Sequence, residues 1–491
     1  MGSLQRPFKL YFVPFLTPGH MVPLFELARL FAARGIHVTF FTTPANALLL
    51  RKAVDKDVAA ARPISLHVLH FPSREAGIPD GIENLLDGAV DAQTLSGVCK
   101  GIAILEERFQ DAILQNPPDC LVVDFVYSWA SDLAARLDIP AIAFNSFCLF
   151  SVCAIHSLKS FAMPGSGPFI IPDLPHQISM NFQPPEEFNS AMVSRIEASY
   201  KTNGIIMNNF AELDGEYAEH YEKISGHRVR HIGPAGLIHR TAEEKTERSH
   251  KSAVKEHECL SWLDSKEPNS VLYVCFGSSC RFSDAQLYEI ASGLESSGCD
   301  FIWVVSGKDI TENETEEERE KWMPKGFEGK VKRENKGMVV RGWAPQLLIL
   351  GHEAIGGFMT HCGWNSVVEG ITAGVPMITW PVHSEQFYNE KLITEVHGIG
   401  VEVGTEEWAL WVFDGGKKMV TRDRIEKAVR KVMDGGDEAM EMRKRVGELG
   451  KKAKEAVQEG GSSHTNLTAL ITELIRWREA KPLDQIQKCE M

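Results

Sequence analysis

The stretch from Trp343 to Gln386 constrains the fold more than any other part of the chain, because it reads as two consecutive strand–turn–helix units. The apolar run GGFMTH at 356–361 has the length of a buried strand, and residues 362–374 have the pattern of a short helix that opens with turn-forming residues. The run VPMITWPV at 375–382 then predicts a second buried strand. Strands that alternate with helices in this way favour a parallel sheet covered by helices on both faces.

The turn between the first of these strands and its helix carries groups that suit an anion. A helix N-terminus presents unpaired N–H groups and the positive end of the helix dipole, which together favour phosphate. Gly363 would let the backbone approach a ligand closely, and His361, Asn365 and Ser366 would add side-chain donors. We therefore predict that this turn binds phosphate.

Residues on either side of the turn suit the other parts of a nucleotide sugar. Trp343 offers a flat face for a planar base, and Gln346 could reach the edge of that base. Glu385 and Gln386, where the second strand ends, form an acceptor-rich pair that suits sugar hydroxyls. This order of groups predicts a nucleotide-sugar site. The alternative is a glycine-rich core unit whose residues serve packing alone.

The order of residues in this stretch resembles the secondary-product glycosyltransferase box of the plant UDP-sugar-dependent glycosyltransferases. The residues in step with that box are Trp343, Ala344, Pro345, Gln346, His352, Gly357, His361, Cys362, Gly363, Trp364, Asn365, Ser366, Glu369, Gly374, Pro376, Trp380, Pro381, Glu385 and Gln386. The resemblance covers nearly the whole chain and is strongest over 343–404, then over 10–46. It implies an α/β protein of GT-B architecture, in which two doubly wound Rossmann-like domains face each other across a cleft.

The chain as a whole has two halves built on the same alternation of strands and helices. Apolar runs at 10–15, 36–41, 120–125 and 139–144 predict strands of a first sheet, and those at 271–278 and 301–307 open a second. A charged, irregular run separates the halves. We predict an N-terminal acceptor-binding domain over 1–245, a linker over 246–260 and a C-terminal UDP-sugar-binding domain over 261–465. The resemblance implies that a last helix, within 466–491, crosses back to the N-terminal domain.

Charge and cysteine usage exclude several other classes of protein. The formal net charge is −14 and the sequence pI about 5.7, so neither nucleic acid nor an anionic membrane is an expected partner. Ten cysteines are scattered without a CxxC pair, which indicates a reducing compartment and no disulfide framework. No apolar run reaches the ~18 residues that a bilayer-spanning helix needs. We expect a cytoplasmic monomer without stable membrane insertion.

His20 and Asp124 form a second candidate group. His20 follows Pro18 and Gly19 at the predicted start of a helix, and Asp124 ends the apolar strand LVVDF, so both would lie at the carboxyl edge of the first sheet. A carboxylate that holds one ring nitrogen fixes the tautomer and stabilises the cation formed when the imidazole accepts a proton. From the residues alone, a structural histidine and a helix-capping aspartate are an alternative. In the family that the box resembles, the PGH motif carries the catalytic base and an aspartate after an apolar strand is its partner, which implies a dyad here.

The resemblance also implies an inverting displacement that needs no metal and no cofactor. His20 would take the proton of an acceptor hydroxyl, whose oxygen attacks C1 of the sugar from the face opposite UDP, so that an α-linked donor gives a β-glycoside. The one DxD sequence, Asp55–Lys56–Asp57, lies in a polar, helix-like segment and is interpreted as surface charge. The implied donor contacts are Trp343, Ala344 and Gln346 for uracil, Glu369 for ribose, Ser278, His361, Asn365 and Ser366 for diphosphate, and Trp364, Glu385 and Gln386 for the sugar.

The choice of substrates also follows from the resemblance. Gln386 favours UDP-glucose as the donor, whereas His383, where many relatives carry an apolar residue, keeps UDP-glucuronate and UDP-galactose as alternatives. The sequences flanking the box resemble the clade that glucosylates flavonoids and triterpenoid sapogenins, with a phenolic or hormone acceptor as the alternative. Candidate residues for the acceptor pocket, several of which could equally be core, are Phe15, Gly19, Phe125, Phe144, Ser146 and Phe147.

Three other functions remain as alternatives at this point. A two-domain dehydrogenase would need GxGxxG followed by an acidic residue, which the strand–turn regions lack, and tight NAD binding would favour it. A glycoside hydrolase would need two opposed carboxylates, and release of sugar without UDP would favour that class. A non-catalytic UDP-sugar sensor would have no need of His20 and Asp124, and absence of turnover with every acceptor would favour it.

Overall fold

The computed structural model describes residues 6–88, 91–162, 164, 167–181, 183–239, 241–247, 256–305, 315–408 and 418–480. The chain divides into two compact units. The first comprises Met1–Cys148, Met192–Ile238 and Glu455–Met491, and the second comprises Leu149–Ala191 and His239–Lys454.

The first unit is built on a seven-stranded parallel sheet in the order β3-β2-β1-β4-β5-β8-β9. Its strands are β1 (Lys9–Val13), β2 (His37–Thr42), β3 (Ile64–Val68), β4 (Cys120–Asp124), β5 (Ala141–Asn145), β8 (Ile205–Met207) and β9 (Val229–His231). Its helices are α1 (Pro18–Ala32), α2 (Pro44–Ala59), α3 (Ser73–Ala76), α4 (Leu85–Gly88), α5 (Ala92–Gln115), α6 (Ala130–Leu137), α9 (Ala211–Ser225), a 3₁₀ turn (Ala235–Ile238) and α20 (Ser462–Glu479).

The second unit contains a six-stranded parallel sheet in the order β12-β11-β10-β13-β14-β15. Its strands are β10 (Val271–Cys275), β11 (Asp300–Val305), β12 (Gly337–Arg341), β13 (Ile355–Thr360), β14 (Met377–Thr379) and β15 (Gly400–Glu402), and a separate hairpin pairs β6 (Phe169–Ile170) with β7 (Ser179–Met180). Its helices are α7 (Leu149–Ser157), α10 (Ala242–Glu247), α11 (Glu256–Leu263), α12 (Asp284–Ser297), α13 (Glu316–Arg319), α14 (Phe327–Arg333), α15 (Gln346–Leu350), α16 (Trp364–Ala373), α17 (Gln386–Lys391), a π-helical turn (Leu392–Val396) and α18 (Arg422–Met433). Helices α8 (Glu186–Ser199) and α19 (Asp437–Ala456) each include residues of both units.

Both sheets have the doubly wound order in which the fourth strand lies beside the first, and the prediction of two Rossmann-like domains is confirmed. The strand order reverses between β1 and β4 in the first unit and between β10 and β13 in the second. In sheets of this kind, ligands bind beyond the carboxyl ends of the strands at the point of reversal. The fold therefore places one potential site in each unit.

Apolar packing covers both faces of the first sheet. Phe12 of β1 packs on one face with Phe31 of α1 and Leu470 of α20, while Val123 of β4 packs on the other face with Phe109 of α5. Every residue of β4 and β5 is buried, as is usual for central strands of a parallel sheet. These buried strands give the residues at their carboxyl ends a rigid support.

The division into units differs from the predicted boundaries, most of all over residues 149–191. Residues 149–191 fell inside the predicted N-terminal domain, but the structure groups them with the second unit. The reason is a contact between distant parts of the sequence: α7 packs on α17, and Ser151 Oγ donates a hydrogen bond to Asn389 Oδ1 over 2.8 Å. Helix α20 belongs to the first unit, where Ser463 Oγ donates to the carbonyl of Gly233 over 2.5 Å.

One sequence interpretation is wrong: the Asp55–Lys56–Asp57 run is not simply surface charge. Asp57 is buried on α2, and its carboxylate accepts from Arg29 Nε over 2.5 Å and from Arg62 Nη1 over 2.8 Å. A buried carboxylate requires such partners, because its desolvation would otherwise be costly. Asp57 therefore holds helix α2 against α1.

Among the described residues, no helix combines the length and the apolar character that crossing a membrane would require.

Candidate active site

His20 and Asp124 meet at the point of reversal in the first sheet. Helix α1 begins with Pro18 at its first position, so His20 lies in the first helical turn. Asp124 is the last residue of β4, which pairs in register with β1. The end of one strand and the helix that follows its neighbour thus bring the two side chains together.

The carboxylate of Asp124 orients the imidazole ring of His20. His20 Nδ1 lies 2.9 Å from Asp124 Oδ2, and the Asp124 side chain is fully buried while that of His20 is 16% exposed. The other oxygen of Asp124 accepts the backbone N–H of Val126 over 3.2 Å. A carboxylate held at both oxygens fixes the ring so that Nδ1 carries the hydrogen and Nε2 is left as the base.

Aromatic rings surround the His20 imidazole. Phe125 stacks against it with ring centroids 6.2 Å apart, and Phe15 meets it edge-on at 5.4 Å. Phe147 packs edge-on against Phe125 at 5.3 Å. Of the predicted acceptor residues, these three phenylalanines therefore lie in one cluster around His20.

Ser146 and Gly19 also lie beside the imidazole. Ser146 Oγ is 3.2 Å from both ring nitrogens, a position that cannot lie along the lone-pair direction of either, so the hydroxyl faces the ring without a directed bond. Gly19 is exposed, and a Cβ added there would meet no atom within 4 Å. A ligand could approach His20 from the Gly19 side.

Phe144 is a core residue, not a pocket residue. Its side chain is 0% exposed and packs with Phe12 and Leu24 on the face of the sheet covered by α1. Side chains alternate between the faces of a strand, so Phe144 points away from the face that carries its neighbour Ala143. The prediction that Phe144 lines an acceptor pocket is therefore corrected.

Tyr127 and Arg195 are residues near the dyad that sequence reasoning missed. Tyr127 Oη donates to the carbonyl of Pro14 over 3.3 Å, which ties the strand before His20 to the loop after Asp124. Burial, followed by the charge of Asp124, raises the pKa of Tyr127 well above its usual value, so the tyrosine remains a neutral donor. Burial lowers the pKa of Arg195 on α8, and the carboxylate of Asp124 opposes that shift.

In the second unit, His361 fills the turn between β13 and α16. A Cβ on Gly277 would lie 2.5 Å from its ring and a Cβ on Gly363 would lie 2.4 Å from it, so both positions require glycine. Gly277 also has a φ of +70°, which glycine adopts without strain. Within the described part of the chain, His361 Nδ1 has no hydrogen-bond partner. Burial, helped by the charge of His383, lowers the pKa of His361 to about 3, so its ring is neutral at physiological pH.

The turn predicted to bind phosphate lies at the N-terminus of α16. Gly363 precedes the first residue of α16, and Cys362 adopts a left-handed φ of +65° that is rare outside glycine. The carbonyl of Cys362 accepts a hydrogen bond from Asn389 Nδ2 over 2.8 Å, which stabilises this conformation. Ser366, predicted to meet the diphosphate, lies in the first turn of α16 and is buried.

Gln346, predicted for the base, and Glu369, predicted for the ribose, are joined by a hydrogen bond. Gln346 Nε2 donates to Glu369 Oε2 over 2.7 Å and to Ser366 Oγ over 3.2 Å, and its Oε1 accepts from Tyr273 Oη over 3.3 Å. Trp343 lies just beyond β12 and is partly exposed, whereas Ala344 is buried. Tyr273, fully buried on β10, orients the Gln346 amide and was not predicted.

The pair predicted to bind the sugar lies where β14 leads into α17. Gln386 Oε1 accepts the backbone N–H groups of Val382 (2.9 Å) and His383 (3.1 Å), which leaves its amide N–H₂ as the group that can face a ligand. Glu385 Oε2 accepts from Ser384 Oγ over 2.6 Å, and Glu385 Oε1 lies 3.4 Å from Asn389 Nδ2. Asn389 therefore braces both Glu385 and the turn before α16, and it too was not predicted.

The remaining predicted donor residues occupy the same edge of the second sheet. Ser278 follows Gly277 beyond β10, and Asn365 lies at the second position of α16, both partly exposed. Trp364, the first residue of that helix, is buried. Among the described residues, no group of three or more histidine, cysteine, aspartate or glutamate side chains is arranged to hold a metal ion.

Comparison with known proteins finds close similarity along nearly the whole chain. Residues 89–436 match the family model described as UDP-glucoronosyl and UDP-glucosyl transferase. UDP-glucosyl transferase 73CC6 of Saponaria officinalis is 49% identical and aligns with 97% of this chain and 99% of its own length. UDP-glucose flavonoid 3-O-glucosyltransferase 7 of Fragaria ananassa is 45% identical over 95% of this chain and 96% of its own length.

The fold is likewise similar to solved structures. The crystal structure of Glycyrrhiza uralensis UGT73P12, complexed with glycyrrhetinic acid 3-O-monoglucuronide, superimposes with a TM-score of 0.89 at 39% identity and covers 98% of this chain and 99% of its own. This similarity confirms the GT-B architecture that the resemblance implied.

Proposed function

This chain belongs to the UDP-glucoronosyl and UDP-glucosyl transferase family, and from that premise we propose that it transfers glucose from UDP-glucose to a hydroxyl of a small lipophilic plant metabolite. It is a UDP-glycosyltransferase. The acceptor we propose is a flavonoid or a triterpenoid sapogenin, and the product is a β-O-glucoside formed by inversion without a metal.

The His20–Asp124 pair is the observation that carries this proposal. Asp124 holds Nδ1 of His20 at 2.9 Å, so Nε2 is the ring nitrogen that takes the proton of the acceptor hydroxyl. The acceptor oxygen then forms a bond to C1 of the sugar while the bond from C1 to the UDP oxygen breaks, and the electron pair leaves with UDP. Asp124 stabilises the imidazolium that forms.

We propose that the turn before α16 binds the diphosphate of the leaving UDP. Its backbone N–H groups and the helix dipole meet the charge that develops on the diphosphate. Asn365 and Ser366 would add side-chain donors. Because His361 stays neutral, it serves there as a hydrogen-bond partner and carries no full charge.

The choice of glucose and of the acceptor class rests on the relatives. The names of the Saponaria and Fragaria proteins specify glucosyl transfer, and the Fragaria name specifies a flavonoid. The ligand of the Glycyrrhiza structure is a triterpenoid glucuronide. The aromatic cluster around His20 suits the planar or polycyclic apolar body that these compounds share.

A UDP-release assay with UDP-glucose, EDTA and a panel of flavonoids and triterpenoid sapogenins tests the proposal. We expect turnover with at least one acceptor, unchanged by EDTA, and a product whose anomeric proton shows the large coupling of a β-glucoside. Parallel reactions with UDP-galactose and UDP-glucuronate test the donor. A product formed only with another donor would refute the assignment of glucose, and loss of turnover in EDTA would refute the metal-independent mechanism.

A further inference from the structure

His383 lies at the same edge of the second sheet as the turn between β13 and α16. Its Nε2 is 3.3 Å from Ser279 Oγ. Ser279 follows β10, whereas His383 follows β14, and these two strands flank β13 on opposite sides. The contact between the two side chains therefore spans the end of β13.

The register of the strands shows where β13 ends relative to its two neighbours, β10 and β14. Cys275 of β10, Thr360 of β13 and Thr379 of β14 pair side by side at the carboxyl edge of the sheet. Neighbouring strands are about 4.8 Å apart, so β10 and β14 lie about 10 Å from each other on either side of β13 and of the residue that follows Thr360. That residue is His361.

A second observation agrees with this position. After burial, the charge of His383 also lowers the pKa of His361, so the two side chains lie in the same part of the second unit. The backbone at His383 is also fixed, because its N–H donates to Gln386 Oε1 over 3.1 Å. The next residue, Ser384, has a left-handed φ of +59°, which turns the chain sharply at this point.

We propose that His383 binds an anionic oxygen of the donor and that Ser279 holds its ring in position for this contact. The inference rests on the proposed function, since it presumes that a UDP-sugar occupies the turn. An imidazole N–H is a suitable donor to a phosphate or carboxylate oxygen. The neighbouring Ser278 and His361 favour the diphosphate as the source of that oxygen, and the carboxylate of UDP-glucuronate is the other source with the same chemistry.

Equilibrium binding by calorimetry of UDP, UDP-glucose and UDP-glucuronate tests the proposal. His383→Phe keeps a ring and removes the donor, His383→Gln keeps one N–H donor, and Ser279→Ala removes the group that holds the ring. His37→Gln, at an exposed position on β2, is the matched control. Thermal unfolding of each variant shows whether it is folded.

If the diphosphate is the ligand, His383→Phe weakens binding of all three compounds by about 10- to 100-fold, the range for a hydrogen bond to a charged group. His383→Gln and Ser279→Ala then lose less, and His37→Gln loses nothing. If the carboxylate is the ligand, only UDP-glucuronate is affected.

The inference would be overturned if folded His383→Phe and His383→Gln both bound all three compounds with affinities within twofold of the wild type. The proposed function would then remain intact. Failure of the wild-type protein to bind any of them would instead refute the proposed function.

Discussion

At the scale of single residues, the function that we propose depends on pairs in which one side chain orients another. Asp124 orients His20 in the first unit, and Tyr273 orients Gln346 in the second. In each pair the orienting residue is fully buried on a strand, so its position is set by the sheet. The partner that faces the ligand lies beyond the end of a strand.

Replacing Asp124 by asparagine tests the first pair. Asparagine has nearly the same shape, but its amide neither fixes the tautomer of His20 nor stabilises an imidazolium. We expect kcat for transfer to fall by about 10²- to 10⁴-fold, the usual contribution of general-base catalysis. The dissociation constant of UDP-glucose, measured by calorimetry, should remain unchanged because the donor residues lie in the second unit. A fall of less than fivefold in kcat would contradict the role given to Asp124.

Replacing Tyr273 by phenylalanine tests the second pair. The change removes one hydrogen bond to Gln346 Oε1 and leaves the buried ring in place. Such a bond contributes about 1 kcal/mol, which corresponds to about a fivefold change in affinity. We expect the KM for UDP-glucose to rise by about that factor, with the KM for the acceptor unchanged. An equal rise in both values would show that Tyr273 does not act specifically on the binding of the donor.

The sequence could predict both residues of the first pair and Gln346 of the second, but not Tyr273, which orients Gln346. His20, Asp124, Gln346 and Glu369 stand in recognisable motifs. Tyr273 lies 73 positions from Gln346 in an apolar run, where a tyrosine reads as an ordinary core residue. Asn389 follows Glu385 by one helical turn, and that spacing was the one available signal that it braces Glu385. Phe144 shows the opposite error, because it was predicted to line the acceptor pocket but lies in the core. A phenylalanine near the end of a strand can point to either face of the sheet.

At the scale of secondary-structure elements, α17 connects Glu385 and Gln386, the pair predicted to bind the sugar, to the interior of the second unit. The helix starts at Gln386 and is buried along its whole length. Phe387 stacks on Trp408 with ring centroids 4.6 Å apart, and Tyr388 meets the same indole edge-on at 5.2 Å. Glu390 belongs to the same buried helix, and its Oε2 accepts a hydrogen bond from Thr379 Oγ1 over 2.6 Å.

The buried carboxyl of Glu390 gives α17 a testable dependence on pH. Burial, reinforced by the charge of Glu402, raises the pKa of Glu390 to about 8 from an ordinary value of 4.5. A carboxyl group whose pKa is higher in the folded state contributes stability that is complete below pH 4.5 and is lost as the pH rises through 8. Glutamine mimics the protonated carboxyl and does not titrate.

We therefore expect Glu390→Gln to match the wild type in thermal unfolding at pH 5 and to exceed it by several degrees at pH 9. The exposed Glu455→Gln is the control and should follow the wild-type curve at both values. A wild-type melting temperature that equals or exceeds that of Glu390→Gln at pH 9 would contradict the assigned protonation.

At the scale of the whole molecule, helix α20, which comes late in the sequence, packs against the core of the first unit. Leu467, Leu470 and Leu474 of α20 are buried with residues of α1 and β1 in one apolar cluster. The side chain of Arg230 pairs with Glu473 of the same helix. The unit that carries His20 thus depends on residues more than 400 positions away from it in the sequence.

Leu470→Ala tests this dependence. The residue is 1% exposed, and a leucine-to-alanine change in a core costs about 2–5 kcal/mol. For a unit of this size we expect the melting temperature to fall by about 4–15 °C. Met440→Ala, at a position that is 54% exposed, serves as the control and should shift the transition by no more than a degree or two. A transition for Leu470→Ala that coincides with the control would show that α20 does not stabilise the unit.

The alternation of strands and helices, and hence both doubly wound sheets, could be predicted from apolar periodicity. The assignment of segments to units could be predicted only in part. Residues 149–191 are joined to the second unit by α7, whose Ser151 bonds to a residue 238 positions away. No local pattern encodes such a pairing, because it depends on how the completed elements pack.

The most direct test of the central claim is the rate of glucoside formation by His20→Ala at saturating UDP-glucose, beside the wild type and with EDTA in both reactions. If His20 is the base of a metal-independent transfer, the wild type forms a β-glucoside and the variant loses at least about 10²-fold in kcat while it still binds UDP-glucose. If the folded variant forms the glucoside at a rate near that of the wild type, His20 is not the base.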